Sequence, residues 1–174
     1  MKPVVQVRDE VDRLVIEWRR ERPELDVSAL EVLSRVTRLA RHLDRARNIA
    51  FAKHGLETWG FDVLAGLRRT GAPYELSPGQ LVQQTLVTSG TMTNRIDRLE
   101  ELGFVERRPD PTDRRGIIVR LTRVGQEVVD AALDDLLASE ESLLSDLSKS
   151  ERELLAQMLC TVLIPFDAGD QPST

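Results

Sequence analysis

Residues 77–122 read SPGQLVQQTLVTSGTMTNRIDRLEELGFVERRPDPTDRRGIIVRLT. Ser77 is placed to cap a helix, Pro78 fits its first position, and Gln80 completes a capping box. The polar run Gln83-Gln84-Thr85 gives way to Leu86-Val87-Thr88-Ser89-Gly90, which turns the chain. Thr88 or Ser89 caps a second helix, and Gly103 suits its C-terminal end. At about 100° per residue, Met92, Ile96 and Leu99 fall on one stripe of that helix. Thr91, Asn94 and Arg98 fall on another, with Arg95 between. A hydroxyl, an amide and a guanidinium are the groups that read base edges and phosphates. An ordinary solvated helix face has the same composition, so the next segment decides.

That segment is a basic hairpin. Phe104–Arg108 and Ile117–Leu121 have the composition of short strands, and residues 109–116 form the turn between them. Residues 104–123 carry six arginines against three acids, in a chain whose net charge is −5. A basic hairpin directly after a helix-turn-helix is a winged helix-turn-helix. An arginine at its tip, Arg114 or Arg115, is suited to a narrow minor groove.

The run DPTDRRGIIVRLTRVGQ, preceded by SGTMTNRIDRLEELGFVERRPD, resembles the MarR family of bacterial transcription regulators. The family pattern is an Asp-x-Arg wing tip, a hydrophobic strand, then Leu-Thr-x-x-Gly. Here these are Asp113, Arg115, Leu121, Thr122 and Gly125. The match covers roughly residues 30–165. It implies a mainly α-helical fold with a small β-wing, assembled as a homodimer on double-stranded DNA. Residues 5–56 and 122–166 would form the helical dimerisation region and 58–121 the winged lobe. The implied DNA-contacting residues are Ser89, Thr91, Thr93, Asn94, Arg95 and Arg98 on the second helix, with Asp113, Arg114 and Arg115 on the wing. Two recognition helices about 34 Å apart imply an inverted-repeat operator.

Upstream, residues 58–71 read as a helix with Thr58 as cap and Gly71 as stop, packing through Phe61, Leu64, Ala65 and Leu67. Tyr74 and Leu76, in the resemblance, set the lobe against the dimer region. Residues 28–54 form a long helix whose apolar side carries Leu30, Leu33, Val36, Leu39, Leu43 and Ile49. Its five arginines read as a solvated face with some salt bridges. Residues 5–22 add a helix with Val7, Val11, Leu14, Val15 and Trp18 on one stripe. Trp18 is either a core or interface anchor or a wall of a ligand pocket.

Downstream, Thr122 caps a helix over 122–146. Ser148 with Glu151 opens a last helix that Pro165 should end. The apolar surface of these two helices exceeds what one edge of a small monomer can cover, which implies a partner chain. Residues 167–174 read as a disordered tail. Cys160, among Met158, Leu159, Val162 and Leu163, reads as a buried structural thiol without a basic neighbour to activate it.

At 174 residues a single compact protein is expected. No apolar run approaches the ~20 residues that span a bilayer, and the N-terminus lacks a secretion core, so a cytoplasmic location without membrane contact is expected. One cysteine and two dispersed histidines argue against a disulfide framework or a structural metal, and no cofactor is expected. No nucleophile–base pair or phosphate loop supports an enzyme. A winged helix used only for protein contacts is the other class, and salt-dependent DNA binding would separate it.

A narrower resemblance concerns an effector. The urate-responsive branch of the family carries a tryptophan on an added N-terminal helix, an aspartate and arginine seven apart before the DNA reader, and an arginine in the recognition helix. The matching residues here are Trp18, Asp62, Arg69 and Arg95. Arginine pairs with a planar anion through parallel hydrogen bonds, and a tryptophan face stacks on it. A purine such as urate and a phenolic or salicylate-like acid both fit. An intrahelical Asp62–Arg69 salt bridge is the plain alternative.

Overall fold

A computed structural model describes residues 9–85, 87–111, 113 and 116–167. The order is α1 (Glu10–Glu21), α2 (Ser28–Ala52), α3 (Thr58–Arg69), β1 (Glu75–Leu76), α4 (Pro78–Thr85), α5 (Ser89–Glu101), β2 (Val105–Pro109), β3 (Ile117–Leu121), α6 (Arg123–Leu143) and α7 (Lys149–Asp167). The protein is mainly α-helical with one small antiparallel sheet, ordered β1-β3-β2.

Local capping chemistry fixes the helix-turn-helix. The Ser77 N–H donates to Gln80 Oε1 at 2.8 Å and the Gln80 N–H donates back to Ser77 Oγ at 3.2 Å, closing the expected box. Thr88 rather than Ser89 is the cap of α5, accepting from the Thr91 N–H at 3.3 Å. Gly103 stops α5 at φ +74°, a conformation that favours glycine. In the hairpin, Val105 faces Leu121 and Pro109 faces Ile117. β1 was not anticipated. It is only two residues long, and it pairs Glu75 with Arg120 and Leu76 with Val119.

One core joins the lobe to the long helices. Leu64 and Leu67 of α3, Leu81 of α4, Ile96 and Leu99 of α5, and Val119 of β3 are all buried. Val129, Ala132 and Leu136 extend it along α6. Phe51 stacks on Phe61 with ring centroids 4.1 Å apart, fastening the end of α2 to α3. A second cluster of Val11, Val15 and Val27, flanked by Leu30, seats α1 on α2. Arg35 reinforces that seat by donating to Asp9 and Asp12.

The Leu-Thr-x-x-Gly run is a joint between wing and α6. Thr122 Oγ1 accepts from the Gly125 N–H at 3.0 Å and donates to the Gly103 carbonyl at 2.7 Å. The same hydroxyl thus caps α6 and ties it to the turn after α5.

Three expectations change. Glu57, not Thr58, holds the N-cap position of α3, while Thr58 Oγ1 reaches across to Asn48 at 2.7 Å. α7 runs through Pro165 to Asp167, because a missing N–H so near the helix end removes only one backbone bond. Cys160 is exposed, since no described residue of α7 is buried. The apolar side of α2 is largely uncovered, with Leu33, Val36, Leu39 and Ile49 all at least 40% exposed. The expected tail lies almost wholly outside the described residues.

Candidate nucleic-acid interface

The buried stripe of α5, Met92, Ile96 and Leu99, orients everything else on that helix. With 100° between residues, Asn94 points away from the core. Thr91, Arg95 and Arg98 lie on the flank toward α3, and Thr93, Asp97 and Glu100 on the flank toward β2. Thr91 Oγ1 is hydrogen-bonded to Thr88 Oγ1, and Thr93 Oγ1 donates to the Ser89 carbonyl. Ser89, Thr91, Thr93 and Asn94 are all exposed. The first two turns of α5 therefore offer small polar groups on an open face, where a helix inserted N-terminus first meets base edges.

Both flanks are braced. On the α3 side, the guanidinium carbons of Arg95 and Arg98 lie 5.6 and 5.1 Å from the Trp59 ring centroid. Arg98 Nη2 donates to Glu57 Oε1 at 2.9 Å. A hydrogen bond from the Trp59 side chain holds the Glu57 carboxyl below its usual range, and the Arg98 charge adds to this. On the wing side, Arg107 pairs with both Asp97 and Glu100. Sequence reading missed Glu57 and Trp59. They precede the helix-turn-helix, and nothing local marks them.

The positive charge of the hairpin is redistributed relative to the sequence count. Arg107, Arg108, Arg120 and Arg123 each face a carboxylate: Asp97 with Glu100, Glu106, Glu75 and Glu127 respectively. These pairs neutralise the base of the wing. Arg114 and Arg115 lie outside the described residues. Among the described residues of this segment, the Gly116 N–H donates to the Asp113 carbonyl at 2.8 Å and the Asp110 N–H to the Gly116 carbonyl at 3.0 Å.

The model of the MarR family matches residues 54–116, from the end of α2 to the wing tip. The HTH-type transcriptional regulator PecS of Dickeya dadantii is 38% identical over 150 residues, covering 86% of this chain and 90% of that protein. The chain belongs to the MarR family. MarR of Salmonella typhimurium, a multiple antibiotic resistance protein, is 30% identical over 118 residues, 61% of this chain and 80% of its own length. A cysteine-to-serine mutant of Escherichia coli MarR complexed with operator DNA superposes with a TM-score of 0.65 at 27% identity, covering 80% of this chain and 99% of that one. The protein is thus a DNA-binding transcription regulator of the MarR family and not an enzyme. No described helix is long and apolar enough to cross a membrane.

Within this MarR-family protomer the four effector candidates are only partly assembled. Asp62 pairs with Arg47 of α2 at 3.5 Å. Arg69 borders a small cleft of about 150 Å³ with Phe61, Ala65, Val129 and Asp130. Arg95 rests on Trp59, one turn before Asp62 on α3. Trp18 stands apart. α1 docks at Glu31 and Arg35, whereas Arg47 lies roughly 24 Å farther along α2 than Glu31 at about 1.5 Å per residue. Trp18 is 47% exposed. Arg47 was not anticipated in this role; its Nε is buried and has no hydrogen-bond partner.

Proposed function

We propose that this MarR-family regulator is a repressor that binds an inverted-repeat operator as a homodimer and is released by a small planar anion, either a purine such as urate or another aromatic acid. The uncovered apolar face carries the dimer reading. Val32, Val36 and Leu39 of α2 and Met158, Leu159 and Val162 of α7 line an open groove of about 570 Å³. A second copy would bury it, leaving two α5 helices to enter successive major grooves. Thr91, Thr93 and Asn94 would meet base edges, with Ser89 and Arg95 beside them. Asp113, Arg114 and Arg115 would serve the minor groove. Two relatives bear the name transcriptional repressor, YetL of Bacillus subtilis and NicR of Pseudomonas putida, at 27% and 28% identity.

The effector reading rests on Asp62 and Arg69 sharing one stripe of α3 and on Arg95 resting against Trp59 of the same helix, with the unpaired Nε of Arg47 beside Asp62 as a further donor. Trp18 joins them only if the partner chain supplies it. Fluorescence anisotropy on DNA from upstream of the protein's own gene, at two salt concentrations with and without urate, tests both parts. Tight, salt-sensitive binding released by urate is the expected result. Release by salicylate and not by urate would assign the site to phenolic acids. Failure to bind that DNA or any duplex from a randomised pool would end the operator reading.

A further inference from the structure

Arg98 sits on the flank of α5, seven residues beyond the open first turn. Its guanidinium is not loose: it lies over the Trp59 ring and donates to Glu57 across the α3–α5 contact. The aromatic face and the carboxylate hold a planar cation in one orientation, which a flexible side chain on a bare helix would lack. The Trp59 ring is itself anchored, half-buried against the main core. Beyond Arg98 the outward face of α5 ends in the exposed carboxylate of Glu101. Base edges read by the N-terminal turns leave this end of the helix at the rim of the groove, where phosphates run.

We infer that Arg98 contacts the DNA backbone rather than a base, and that Trp59, with Glu57, is a positioning residue that presents it. This revises the base-reading role suggested by the helical stripe. It rests on the proposal that α5 is the helix that enters DNA. Glu57 also keeps the cation neutralised in the free protein, so the phosphate takes over a partner that is already aligned.

The two roles separate by measurement. Operator DNA is first selected from a randomised pool with the wild-type protein, and a scrambled duplex of equal length and composition serves as the non-specific probe. Arg98→Ala is expected to weaken both by a similar factor, about tenfold at low salt, and to lower the salt slope by about one. Weakening confined to the selected duplex, with an unchanged slope, would make Arg98 a base reader and overturn the proposal. Trp59→Leu should repeat the loss in the Arg98 parent and add almost nothing in the Arg98→Ala background. An equal loss in both backgrounds would mean that Trp59 acts through Arg95 or through the fold and not by presenting Arg98, and would overturn the proposal. Trp59→Phe keeps a ring beneath the guanidinium and should restore most of the affinity, which guards against a Leu variant that folds poorly. Failure of the wild-type protein to select any duplex would instead remove the operator reading itself.

Discussion

Glu100 of α5 holds Arg107 of β2 twice: one carboxylate oxygen accepts the Arg107 backbone N–H at 2.9 Å and the other pairs with its guanidinium. Asp97, one turn earlier, takes a second edge of the same guanidinium. The recognition helix and the wing therefore move as one piece. The Arg107 side chain is only 26% exposed, so it serves this joint and not DNA. Arg107→Ala should lower unfolding stability by about 1 kcal/mol, since a partly buried charge pair is worth more than a surface one. Urea denaturation measures that loss. The salt slope of DNA binding should stay unchanged, and a slope reduced by one would return Arg107 to the phosphate-binding set.

Gly125 makes a sharper case. A Cβ there would lie 2.1 Å from the Phe104 carbonyl oxygen and 2.9 Å from the Leu121 side chain. The carbonyl cannot retreat, because it accepts the Thr122 N–H at 3.0 Å. Gly125→Ala must push the start of α6 off the wing, and a loss of about 3 kcal/mol or more is expected, above the usual range for overpacking. A thermal midpoint within a degree or two of the parent would show that the joint is softer than this contact implies.

These two joints lie beyond what the sequence alone shows, whereas the local caps were readable. Caps at Ser77, Thr88, Thr122 and Ser148, and the stop at Gly103, are contacts between near neighbours, so residue types and spacing suffice to read them. The buried stripes of α3 and α5 followed from helical period. The Glu57–Arg98 pair spans 41 positions and the Thr58–Asn48 bond ten, and neither leaves a local pattern. β1 is too short for any alternation to register. The six wing arginines were counted correctly as charges, but the carboxylate partners of Arg107, Arg120 and Arg123 on α5, β1 and α6 could not be paired from composition. Leu33 and Ile49 were read as part of an apolar side, and which chain covers that side is not a property of one sequence.

Leu39 tests the covering. It borders both apolar grooves between α2 and the C-terminal helices and is 42% exposed in one chain. Leu39→Glu leaves the main core untouched and places a charge where a second copy would bury it. Sedimentation should report a monomer with unchanged helical signal. DNA affinity should fall by about 100-fold or more, because two linked half-sites become one. A variant that stays dimeric would move the interface elsewhere.

Asp135 of α6 gives a pH-dependent contact with the end of α2. His54 lies 2.9 Å from its carboxylate and Lys53 3.3 Å. These hydrogen bonds, His54 first, hold the Asp135 carboxyl below its ordinary value of 3.8. A depressed carboxyl contributes stability that is present above 3.8 and is lost as pH falls through the folded value. Asp135→Asn should therefore lower stability at neutral pH and shrink the difference from the parent below about pH 4. Parallel stability curves across that range would show that the contact carries no linkage.

The effector site carries a demand about chain identity. Asp62 and Arg69 share one stripe of α3, while Trp18 rides on the far end of α2, so a site containing all three takes its tryptophan from the partner. Arg69→Ala and Trp18→Ala should each keep DNA binding and lose release by ligand. For a ligand that weakens DNA binding 100-fold, the coupling lost is about 2.7 kcal/mol. Heterodimers decide the geometry. With Trp18→Ala on one chain and Arg69→Ala on the other, a site shared between chains leaves one pocket intact, and part of the ligand response returns. A site built within each chain leaves both pockets broken, and the mixed dimer should be as unresponsive as either parent variant.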